Sequence, residues 1–148
     1  MNRIRGAAAA LVVAVVVLSA GVALAAPLSE SQWKKQANAL CKQVNKQLGP
    51  IQQEVFAGLG ENEQPSPEQF SAYLAQSLPV IEDGVASIDA LNEPKSLKRG
   101  VKKFKVAVAD TLATIEADPV AVLSGNNDPF AKADKAALKI GLKACANG

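Results

Sequence analysis

Apolar residues recur every three or four positions along four stretches of the chain. Trp33, Ala37, Leu40, Val44 and Leu48 form the first stripe, which Ile51, Val55 and Leu59 continue beyond Gly49-Pro50. Phe70, Leu74, Ser77 or Leu78, Ile81, Val85, Ile88 and Leu91 form the second, interrupted by Pro79. The third is Leu97, Val101, Phe104, Val108, Thr111 and Ile115, and the fourth is Phe130, Ala133, Ala137, Ile140 and Ala144. This is the spacing of one buried face on an α-helix, and no stretch sustains the two-residue alternation of a strand. The punctuation agrees. Ser29 with Gln32, and Ser66-Pro67 with Gln69, have the form of capping boxes. Asp118-Pro119 and Asp128-Pro129 read as further helix starts, and Gly60 and Gly125 as stops. The expected fold is all-α, a four-helix up-down bundle with helices kinked at Pro50 and Pro79.

The N-terminus changes the picture of where this bundle acts. Arg3 and Arg5 precede an unbroken apolar run from Ala7 to Leu18, and Ala23-Leu24-Ala25 places small residues at a cleavage site. That is the layout of a Sec-type secretion signal, residues 1–25, ahead of a single domain, residues 26–148. Cleavage after Ala25 avoids Pro27 directly beyond the cut. The longer apolar stretch from Ala7 to Ala26 is also about long enough for an uncleaved anchor, but its Ala-rich composition and its end favour processing. No Cys stands at the cut for a lipid anchor, and Ile4 separates the arginines that a twin-arginine signal would need adjacent. The domain is thus expected outside the cytoplasm, secreted or in the cell envelope, as a monomer that does not span the membrane.

Charge then restricts the partners. Two of the 16 basic residues lie in the leader, so 14 remain against 14 acidic ones. A near-neutral domain is a poor general nucleic-acid binder, which relies on excess Lys and Arg. Cys41 and Cys145 are the only cysteines, and in an oxidising compartment they read as one disulfide. Closing a loop of about 100 residues stabilises the fold by roughly 4–5 kcal/mol on the chain-entropy model. With a helix rise of about 1.5 Å per residue, the two cysteines fall at overlapping heights in an up-down bundle.

Chemistry is narrowed mainly by what the chain lacks. It has no histidine, and its one methionine is Met1, which removes histidine-based catalysis and the usual histidine or methionine metal ligands. Neither a metal nor a cofactor is expected. Glu82, Asp83, Asp89 and Glu93, with Glu61 and Glu63, read as solvated acids rather than an acid pair for glycoside chemistry. Asn126-Asn127-Asp128 reads as a turn rather than a calcium loop. Trp33 is expected in the core, and Tyr73 beside the second stripe with its hydroxyl reaching water.

One surface stands out. Lys95, Lys98, Arg99, Lys102, Lys103 and Lys105 project over roughly 160° of the third helix, opposite its apolar stripe. Several lie near the helix N-terminus, where the macrodipole disfavours cations. They form a candidate anion-binding face, against the plainer reading of a soluble outer surface.

The arrangement of Ala37 to Cys41, Ser77-Leu78-Pro79, Leu91 to Pro94 and Gly141 to Cys145 resembles small secreted all-helical proteins of actinobacteria. These carry one Cys in the first helix and one at the C-terminal end. The resemblance implies fold and export, and no activity. The expected function is a non-enzymatic extracytoplasmic binding or interaction module, its partner an anionic envelope component or another exported protein. The alternatives are a carrier of a small apolar ligand or lipid in the bundle core, and an enzyme working with carboxylates alone.

Overall fold

A computed structural model describes residues 28–60, 63–124 and 128–146. The expected secretion signal, Gly125, Glu61 and the Asn126-Asn127 part of the expected turn lie outside the described residues. The described chain is all-helical: α1 (Glu30–Val55), α2 (Pro67–Asp89), α3 (Lys98–Ala117), α4 (Pro119–Ser124) and α5 (Ala131–Lys139).

Both capping boxes form. The Ser29 hydroxyl accepts from the Gln32 backbone N–H at 3.2 Å, and Gln32 Oε1 accepts from the Ser29 N–H at 3.2 Å. Ser66 and Gln69 repeat the exchange at 3.2 and 3.0 Å. Each box satisfies donors that a helix start leaves unpaired. Asp118 accepts from the Ala121 N–H at 2.8 Å and opens α4 at Pro119. Asp128 instead accepts from the Phe130 N–H at 2.9 Å, which shapes a turn ahead of α5. α1 and α2 run without interruption through Pro50 and Pro79. Both prolines are exposed, so the carbonyls that lose their intrahelical partner there face water.

The last expected helix is corrected at both ends. A separate short α4 precedes it, and it stops at Lys139 rather than running on to Ala144. The stop is made by Gly141, whose φ of +82° suits a residue without a Cβ. The Leu142 N–H reaches back to the Ala137 carbonyl at 2.9 Å and the Gly141 N–H to the Leu138 carbonyl at 3.1 Å. This is the Schellman pattern, and it turns Leu142 inward, where it is fully buried beside Ala137.

Helices associate in two close pairs, α1 with α2 and α3 with α5. In the first, a Cβ added to Gly84 of α2 would lie 2.4 Å from Val44 Cγ2 of α1. In the second, a Cβ on Gly100 of α3 would lie 2.3 Å from Ile140 Cγ2. The pairs meet over a core of Trp33, Ala37, Ile88, Val101, Phe104, Val108, Ala137 and their neighbours. All six residues of the third stripe, Leu97 to Ile115, are buried. Trp33 is fully buried, and its indole N–H has no hydrogen-bond partner among the described residues.

Cys41 and Cys145 are joined in a disulfide, their Cα atoms 5.0 Å apart. It links α1 to the turn that follows α5. Two asparagines on the same face of α1 hold that turn as well. Asn38 Nδ2 donates to the Gly141 carbonyl at 2.9 Å, and Asn38 Oδ1 accepts from the Ala144 N–H at 2.8 Å. Asn45 Nδ2 donates to the Ala144 carbonyl at 3.0 Å.

Candidate functional site: a basic groove and an apolar cavity

The basic face of α3 does not stay together in three dimensions. Lys105 turns towards α2 and pairs with Asp89. This cation is therefore spent within the fold, and an exposed pair of this kind is worth at most about 1 kcal/mol. Arg99, Lys102 and Lys103 turn the other way, into an open groove of about 850 Å³ between α3 and α5. Lys132 of α5 joins them there, across a floor that includes Val106, Ala107 and Pro129. Lys95 lies in the turn before α3 and not on the helix, and both it and Lys98 are exposed and line neither this groove nor the cavity described below.

A polar contact joins the two sides of the groove. Thr111 Oγ1 lies 2.9 Å from the Ala107 carbonyl and 3.1 Å from the Pro129 carbonyl, tying α3 to the entry of α5. Asp110 and Asp128 also line the groove, so its charge is mixed along its length. The local setting of the cations is unfavourable. α3 begins at Lys98 with no side-chain cap and no acidic residue in its first turn, so Lys98 and Arg99 oppose the helix dipole.

Of the acids expected near the end of α2, Glu82 and Asp89 line one shallow hollow with Glu116 and Lys105. Glu82 and Asp83 are exposed, Asp89 is taken by Lys105, and Glu93 lies in the turn that follows. Among the described residues no three Cys, Asp or Glu gather as a metal site, and no helix is long and apolar enough to cross a membrane.

A second hollow lies where the two helix pairs meet. It measures about 240 Å³ and is lined by residues of α1, α2, α3 and α5, by Phe130 and by Cys145. Its walls are mainly aliphatic and aromatic: Val44, Leu48, Ile81, Val85, Phe104 and Val108 among them. The polar groups on it are Tyr73, Asn45 and Asp134. Burial raises the Tyr73 phenol above its ordinary value, while the nearby Ser77 hydroxyl acts in the opposite sense. Ser77 itself is buried without a well-formed hydrogen bond. The Tyr73 ring packs against Phe56 with centroids 5.2 Å apart. Burial raises the Asp134 carboxyl too, and the Asp128 charge adds to the effect.

Stripe reasoning found the α3 cations but not Lys132, which shares their groove only through the α3–α5 packing. Nor did it find Asp134 on the cavity wall, since one acid in a helix first turn reads as a favourable dipole contact.

No family model, curated protein or solved structure matches this chain.

Proposed function

We propose that the protein is an exported, non-enzymatic binding module that holds anionic groups of an envelope component in the groove between α3 and α5. The observation that carries this reading is the convergence of Arg99, Lys102, Lys103 and Lys132 on one groove. Cations at the start of an uncapped helix work against its dipole, so helix stability gives no reason for their position. The exposed valine on the groove floor, Val106, offers an apolar contact beside the charges. In this reading residues 1–25 form a cleaved secretion signal. The disulfide suits an oxidising compartment. α1, α2, α3 and α5 are taken as an up-down bundle, with α4 as an insertion ahead of its last helix.

The test is binding of the purified protein to a soluble polyanion and to vesicles of anionic lipid, each at rising salt. Reversing charge at Arg99, Lys102 and Lys103 to Glu should weaken binding at least about tenfold and flatten its salt dependence. Lys105→Glu, which changes net charge outside the groove, should have a much smaller effect. Equal losses from the two variants would reject the groove as the site. A preference for polymer over vesicles, or the reverse, separates the two sources of anionic groups.

A further inference from the structure

The cavity between the helix pairs differs in kind from the basic groove. Among the described residues no Lys or Arg lines it, and the one charged group on it is the carboxyl of Asp134. Its remaining polar groups are also able to accept hydrogen bonds. Asn45 gives one amide N–H to the Ala144 carbonyl and keeps its side-chain oxygen as an acceptor, and Tyr73 presents a hydroxyl that can donate or accept. The rest of the wall is apolar. A wall of this composition rejects a carboxylate or phosphate head, which would meet Asp134 with no compensating cation. It accommodates an apolar body and a head that donates hydrogen bonds.

We propose that this cavity binds a small amphiphile with an apolar body and a neutral or cationic hydrogen-bond-donating head, an aliphatic alcohol or amine, with the head at Asp134. Size limits the ligand as well. Scaling from dry apolar cavities of about 150 Å³ that hold benzene, this hollow takes about ten non-hydrogen atoms, too few for a membrane lipid. The cost of burying Asp134 is then offset by the ligand it receives, since an ammonium group beside the carboxylate restores the charged form.

The experiment titrates the purified, disulfide-bonded protein with octylamine, 1-octanol and octanoate, read by calorimetry and ligand-observed NMR. Octylamine and octanol should each saturate one site, with octanoate at least about tenfold weaker. Asp134→Asn should weaken octylamine about tenfold and change octanol by less than about threefold. Val85→Phe, which places a ring at the cavity wall, should remove binding of both. Should that variant fail to fold, the amine-selective effect of Asp134→Asn still decides the matter. Octanoate binding as tightly as octylamine, no saturable binding by amine or alcohol, or equal losses for both ligands in Asp134→Asn would each overturn the proposal.

Discussion

Within each helix pair the surfaces close on a glycine, and between the pairs they leave a hollow. At Gly84 and at Gly100 there is no room for one added carbon, because Val44 and Ile140 already occupy it. Gly84 and Val44 also stand on the rim of the hollow of about 240 Å³ that α1 and α2 leave against α3 and α5. The same kinds of residue, Val, Ile, Ala and Phe, build both regions. What differs is whether a side chain meets bare backbone or another side chain. Contacts inside a pair close tightly at the glycine, whereas the seam between pairs combines the apolar core, a covalent bond and a few long-range hydrogen bonds around a hollow.

The bridge across that seam should carry the largest effect. Replacing Cys41 and Cys145 with Ser is expected to cost about 4 kcal/mol, measured by denaturant unfolding, because the loop it closes is long. If the seam is the looser region, the reduced protein should also lose hydrogen-exchange protection in the 141–145 turn before it does so in α1 or α2.

Next come the glycines. Gly84→Ala should destabilise by up to about 2 kcal/mol, since overpacking costs about 1–3 kcal/mol against a helix-propensity gain of about 1 kcal/mol. Combining it with Val44→Ala should recover part of the loss. Purely additive behaviour in that double-mutant cycle would show that the close approach is not the cause. Gly100→Ala should behave the same way against Ile140.

A cavity wall should tolerate more. Val85→Ile, an added methylene beside the hollow, should change stability by less than about 0.5 kcal/mol, in contrast to the glycine variants. The smallest expected effect belongs to Asp134. Its carboxyl is raised by burial, so the folded chain holds that proton more tightly than the unfolded chain does. The resulting stability is fully present below the ordinary carboxylate value and is lost as pH rises through the raised one. Asp134→Asn should therefore raise the melting temperature slightly near neutral pH and leave it unchanged in strong acid. An unaltered difference between the two pH values would contradict this.

Much of the helical content was legible because its causes are local. The Leu97 to Ile115 stripe is buried at every position read from it, and Ser29–Gln32 and Ser66–Gln69 cap the helices they precede. The errors arise where a local pattern has two meanings. Ala144 continues the spacing of Ala137 and Ile140, so periodicity carried the helix past Gly141, where a left-handed residue ends it. Asn38 and Asn45 are ordinary polar positions on α1 until the 141–145 turn is placed against them. The same holds for the groove. Six cations at helical spacing marked a face, but only the neighbouring helices decide that Lys105 is neutralised while Lys132 is added.

The clamp on that turn has a consequence for the order of assembly. Asn38, Cys41 and Asn45 wait for partners 99 to 106 residues further along the chain. Whether the chain emerges from a ribosome or threads through a translocation pore, α1 and α2 can pair early, but α1 cannot receive its last contacts until residue 145 is free. Until then Cys41 lacks its disulfide partner. Closure of the bridge thus reports that the whole clamp has been delivered.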